Sequence, residues 1–142
     1  MGVFSTILAA VKARLEPLGT PVVVRKRAIL LEGDRLPLII VSPSQETINL
    51  EAFAGVVCYD YAVNVTLINA GNRIYEQDVY QWLDLRERVR NELYQVTLSG
   101  AVSVFDTMIS LNPALEVVSG STGNYDVAGI TITYRSYESR VS

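Results

Sequence analysis

Histidine is missing from the 142 residues altogether, and that one absence removes several chemistries at once. No Ser-His or Cys-His nucleophile pair can form, the usual general base near neutral pH is gone, and so is the commonest zinc ligand. Cysteine is nearly as scarce. Cys58 stands alone, so no internal disulfide is available, which fits a reducing interior or a particle assembled inside a cell. It cannot make a metal site by itself, and with no cation beside it in sequence it reads as a small buried hydrophobe rather than a reactive thiol. Lysine is confined to Lys12 and Lys26, all other basic residues being arginine. With 12 basic against 15 acidic side chains the net charge is −3, so bulk attraction for a phosphate backbone, which needs clustered cations, is not expected. The arginine bias points instead to protein interfaces, where a planar fork grips carboxylates. There is no repeat, low-complexity tract or linker, and the apolar stretch "VFSTILAAV" lacks a basic leader and runs into Lys12 and Arg14. It reads as a helix that stays rather than a signal peptide, and no membrane association is expected. Gly2 and Thr6 match a myristoylation pattern and Asn64-Val65-Thr66 a glycosylation acceptor. The first lacks a polybasic second anchor and the second lies within a strand pattern, so both are set aside.

What is present is a core. Apolar residues make up 49% of the chain, and a chain of this length, read as one domain over residues 1–142, buries enough surface to need no staple. Phe4, Ile7, Leu8, Val11, Leu15 and Leu18 recur at helical steps, and Pro17 and Gly19 predict that this first helix stops near residues 16 to 18. "PVVVRKRAILLEGDRLPLIIVSP" places two apolar runs around "EGDR" and predicts a hairpin, with Pro37 at a strand start or edge. Residues 43–54 have no clear period and are expected to be a loop. In "GVVCYDYAVNVTLINAG", Val57, Tyr59, Tyr61, Val63, Val65 and Leu67 alternate with Cys58, Asp60, Ala62, Asn64 and Thr66, one face core and the other mixed. "NAGN" supplies a turn. A second helix is expected over residues 76–95, with Val79, Trp82, Leu83, Val89 and Leu93 sharing a face, acids early, arginines late, and a possible Asp84–Arg88 pair. "AVSVFDTMISL" and "PALEVVS" read as one or two strands. Beyond the turn-rich "GSTGNYD", Ala128, Ile130, Ile132 and Tyr134 alternate with Gly129, Thr131, Thr133 and Arg135 as in a half-exposed antiparallel strand. The class expected is α+β: an antiparallel or mixed sheet with an N-terminal helix and one long central helix packed on it.

Few residues offer themselves for chemistry. Asp84 and Glu87, one helical turn apart, read as solvated helix charges rather than an acid–base pair. "SGSTG" at 119–123 has Ser119 where a nucleophile elbow needs glycine and Asn124 where a phosphate loop needs lysine, so it is a turn. In "VRKR", alternation sends Arg25 and Arg27 to one face and Lys26 to the other. Asp60, the one acid within a strong strand, either pairs with an arginine of a neighbouring strand or subunit or lies on an exposed face. The eight tyrosines are spread over strands and helix, a pattern open to both core packing and an interface. No catalytic residue, cofactor or metal ligand is assigned. Arg25, Arg27, Asp60 and Arg88 are the candidates for a subunit interface.

The sequence of elements "TILAAVKARLEPLG", "VVVRKRAILLEGDRLPLIIVSP", "YDYAVNVTLINAGNR", "DVYQWLDLRERVRNELY" and "VAGITITYRSYESR" resembles the tail-terminator or tail-completion proteins of long-tailed bacteriophages over nearly the whole chain. That resemblance implies a non-enzymatic structural protein of the virion, assembled in the host cytoplasm as a ring, typically a hexamer. Such a ring caps the tail tube, ends its polymerisation and offers its other face to the neck or connector of the head, and DNA passes through it without specific binding. A neck or head-completion protein of similar fold is the nearest alternative. From other classes, a small-molecule binding module would need a pocket lined by Tyr59, Tyr61 and Tyr134, and a histidine-free hydrolase would need clustered carboxylates and a metal.

Overall fold

The computed structural model describes residues 2–51, 55–71, 75–120 and 123–139, with backbone alone at 49–51. The chain is α+β, and among the described residues it forms a mixed six-stranded sheet with two α-helices. In order come α1 (Val3–Leu15), a 3-10 turn (Glu16–Leu18), β1 (Val22–Val24), β2 (Leu38–Glu51), β3 (Val56–Ala70), α2 (Glu76–Leu93), β4 (Val104–Leu111), β5 (Glu116–Gly120) and β6 (Gly123–Ser139). Across the sheet the order is β1-β2-β3-β6-β4, with β5 also paired to β6. The turn signals "NAGN" and "SGSTG" fall partly outside the described residues.

Helical spacing and strand alternation locate the core directly. Tyr61, Val63, Val65 and Leu67 of β3 lie opposite Tyr134, Ile132, Ile130 and Ala128 of β6. All eight are buried, and they share one cluster with Ile7, Val11 and Leu15 of α1 and Trp82, Val89 and Leu93 of α2. Each such side chain withdrawn from water contributes about 1.5–3 kcal/mol, so this layer is the main support of the fold. α1 ends where Pro17 and Gly19 predict, the Gly19 N–H reaching Glu16 O from a left-handed φ of 88°. α2 stops at Leu93, and two residues assigned to its buried face, Val79 and Leu83, are each 39% exposed. They stand to one side of the stripe formed by Trp82, Val89 and Leu93. The Asp84–Arg88 pair is not formed; Arg90 reaches Glu87 instead, at 3.4 Å.

Two strand assignments need correction. The expected hairpin over residues 21–43 does not form, because β1 runs parallel to β2, with Val22 opposite Ile39 and Val24 opposite Val41. A parallel pair needs a crossover of about a dozen residues, and the loop 25–37 provides it. The turn at "EGDR" is present, with Gly33 at φ 88° and the Asp34 N–H on Leu31 O. However, its apolar neighbours Leu30 and Leu36 fold onto the second face of the sheet, beside Leu38, Ile40 and Ile68, instead of pairing as a strand. Residues 43–51, expected to be loop, belong to β2. The register with β3 shifts between Pro43 and Gln45 and again between Ile48 and Leu50. Each shift inserts one unpaired residue and reverses the alternation, which erases the period of two from the sequence.

Candidate functional site

The sheet ends on each side in backbone that carries no partner strand among the described residues. On one side β1 pairs only with Ile39–Val41, so β2 from Ser42 onward has a free outer edge. Residues 43–48 are all exposed, Ile48 at 66%. On the other side β4 and then β5 occupy the same flank of β6 and form the opposite edge. The registers place the free part of β2 level with β4: Thr47, Asp60, Arg135 and Asp106 form one row, and Gln45, Ala62, Thr133 and Met108 another. β2 runs antiparallel to β3, β3 to β6 and β6 to β4, so β2 and β4 point in opposite directions.

The β4–β5 edge is also the apolar one. α2 straps the break between these strands, its Trp82 Nε1 donating to Ala114 O (2.7 Å) and Arg86 Nη2 to Asn112 O (3.2 Å). On α2 and along this edge Val79, Leu83, Met108, Leu111, Leu115 and Val117 are 39–61% exposed, Met108 standing on the face away from the helix. A run of large exposed apolar side chains beside unpaired strand backbone is the dress of a contact surface, since isolated edges are normally short, charged or covered.

Of the four residues singled out from sequence, Arg25 is committed within the chain. Its guanidinium forks onto Asp34, Nη1 to Oδ2 at 2.6 Å and Nη2 to Oδ1 at 2.7 Å, and Nη1 also donates to Ile29 O. That fork and the Leu31 N–H hold the Asp34 carboxyl down at about 2, and the same pairing raises Arg25. Arg27, two residues on, is exposed. Asp60 does meet an arginine of a neighbouring strand: Arg135 Nε lies 3.3 Å from its Oδ1, with both side chains largely covered. Arg88 is exposed on α2. The four do not converge; Arg25 and Arg27 share a loop, while Asp60 and Arg88 lie on β3 and α2.

Sequence reading missed Arg135 and Asp34, whose partnerships depend on strand register and loop closure. It also missed Glu138, which accepts a 2.5 Å hydrogen bond from the Tyr61 hydroxyl; burial foremost, then this bond, pushes that phenol up. The tyrosines divide between the two uses. Tyr61 and Tyr134 are core, Tyr61 packing on Phe4 with ring centroids 5.0 Å apart, whereas Tyr75, Tyr80, Tyr94 and Tyr137 are about half exposed or more. Tyr61 and Tyr134 are thereby used up in packing rather than lining a pocket. Cys58 is buried. Among the described residues no group of three or more His, Cys, Asp or Glu is placed to hold a metal ion, and no helix is long and apolar enough to cross a membrane. No protein-family model matches the chain, and no curated protein matches it.

Proposed function

We propose that the chain is a structural virion subunit that closes on copies of itself as a ring, caps the tail tube and joins it to the head, as its resemblance to tail-terminator proteins implies. One observation carries the assembly part of this reading: a single sheet offers two unpaired edges, β4 and the outer half of β2, on opposite flanks, at the same level and with opposite chain direction. Rotation about an axis along the strands brings β4 of one copy to β2 of the next as an antiparallel pair. A contact between two different patches, repeated around such an axis, closes a ring. Pro43 and the two register shifts limit the pairing on β2 to a short segment near Gln45–Ile48, which disfavours open-ended sheet growth. The exposed apolar residues around α2, β4 and β5 add area beyond the few hydrogen bonds of the edge.

In this reading the working parts are the edge residues Gln45, Ile48, Met108 and Leu111, with six copies as the expected closure, and the partners are the tail-tube protein on one rim and the neck or connector on the other. Light scattering and native mass spectrometry of the purified chain, with negative-stain images, test it. Closed rings of one size are expected, and added rings are expected to halt elongation of a tail-tube protein. A solitary chain at every concentration would remove the assembly premise.

A further inference from the structure

Among the described residues no helix covers the second face of the sheet, and beyond the apolar patch of Leu38, Ile40 and Ile68 that face carries small and polar residues, Ala62, Asn64 and Thr66 opposite Thr133, Thr131 and Gly129. Where the loop 25–37 leans over this face there is a cavity of about 400 Å³, lined by Lys26 and Arg27 from the loop, Ser44 from β2, Asn64 and Thr66 from β3, and Asn112 from the β4–β5 break. That volume lies within the roughly 300–1,000 Å³ of ligand-sized clefts. Its lining has two cations and no carboxylate, in a chain whose net charge is −3.

The local structure explains why those two cations are there. The Arg25 N–H continues the parallel ladder by one residue, onto Val41 O at 3.0 Å, and its guanidinium is consumed by Asp34. Lys26 and Arg27 follow at the point where the loop turns over the sheet, and neither forms an ion pair among the described residues. On the floor, Thr131 Oγ1 donates to Asn64 Oδ1 at 2.9 Å, which fixes the amide and leaves its two N–H donors for the cavity. Asn112 lies over Gly129, where a Cβ would stand 3.1 Å from its Nδ2, so the glycine is what lets this second amide approach the floor. Two cations, two amide donors and the hydroxyls of Ser44 and Thr66 meet in one place. Such a donor-rich, acid-free set matches a tetrahedral oxyanion, because charge-assisted bonds to phosphate oxygens are strong and satisfy donors that would otherwise compete for water.

We propose that this cavity binds a phosphate group, with Lys26 and Arg27 supplying charge and Asn64, Thr66 and Asn112 supplying orientation. The phosphate comes either free, as inorganic phosphate or a small phosphorylated ligand, or from the backbone of DNA. The site belongs to one chain, so the inference stands apart from the ring reading.

Calorimetry with inorganic phosphate in a chloride buffer, and fluorescence anisotropy with a short labelled DNA duplex, test it on the full chain. Saturable phosphate binding is expected, weakened at least tenfold in Lys26→Gln/Arg27→Gln. Both side chains are exposed, so the thermal midpoint of that variant stays at the wild-type value. Gly129→Ala, which displaces Asn112 without altering charge, is expected to weaken binding as well. Phosphate binding without duplex binding identifies the free ligand as the source. Duplex binding that phosphate displaces, and that falls about tenfold between 50 and 200 mM salt as for two neutralised phosphates, identifies the DNA backbone. Absence of binding in both arms, full binding by the double variant, or wild-type binding by Gly129→Ala would each overturn the proposal.

Discussion

Arg25 and Asp34 grip each other through two hydrogen bonds of 2.6 and 2.7 Å, and the Leu31 N–H adds a third to the same carboxylate at 2.7 Å. This clasp closes the crossover between β1 and β2, which pair in parallel, and it fixes the loop that carries Lys26 and Arg27.

The clasp makes stability depend on acid. Asp34 titrates at about 2 when folded and near 4 when unfolded, about the ordinary carboxylate value. A depressed folded value contributes stability that is complete above about pH 4 and is lost as pH falls toward 2. Urea midpoints measured over that window are expected to drop more steeply for the wild type than for Asp34→Asn, the two curves converging at the acid end. Parallel curves would show that the clasp adds nothing to folding.

Tyr134 is fully buried, and its hydroxyl has no hydrogen-bond partner among the described residues. Burial pushes that phenol up. An unsatisfied buried hydroxyl costs about 1–3 kcal/mol, so Tyr134→Phe is expected to be at least as stable as the wild type, with a gain of about 1 kcal/mol in urea unfolding. A loss of that size would point to a bound water satisfying the hydroxyl.

Gly71 closes β3 with its N–H on Asn124 O at 2.9 Å, and a Cβ added there would come within 2.9 Å of the Asn124 carbonyl carbon and oxygen. Backbone cannot swing aside as a side chain can. Gly71→Ala is therefore expected to destabilise by about 1–3 kcal/mol, the usual range for forced overpacking, whereas Gly2→Ala, with open space around it, leaves the midpoint unchanged. Equal midpoints for both variants would show that the β3–β6 end yields freely.

Ile48 is exposed beside the free edge of β2. A lysine there is a standard guard of an unpaired strand. Ile48→Lys is expected to lower the assembled mass in light scattering while leaving helix content by circular dichroism as it was, because the position supports no part of the core. Unchanged mass would place the subunit contact elsewhere.

How much of this was legible in sequence follows from what each element depends on. β3, β6 and α1 announce themselves because their facing is decided by neighbours in the chain: Tyr61 to Leu67, Ala128 to Tyr134 and Ile7 to Leu15 keep one period throughout. β1 does not, since "VVV" carries no signal of direction; it pairs in parallel with β2 while Leu30 and Leu36, in the crossover between them, pack on the second face. The fork between Arg25 and Asp34 and the contact of Asp60 with Arg135 are products of closure and register, which local spacing does not encode. The same holds for the cavity, whose lining is drawn from five separate parts of the chain.

The paired irregularities in β2 have a consequence for how this edge tolerates change in length. Before the first shift odd-numbered residues share the side of β3 that bears Val63 and Val65; between the shifts even-numbered ones do, Glu46 opposite Tyr61 and Ile48 opposite Tyr59; past the second, parity reverts. Deleting Ser44 alone would therefore bring Gln45 next to Pro43 just as Ala62 adjoins Val63, closing the first irregularity and leaving every later residue opposite its present partner, and deleting Asn49 alone would do the same for the second. The two insertions are independent of one another, and a lineage can shed or acquire either without inverting the strand beyond it.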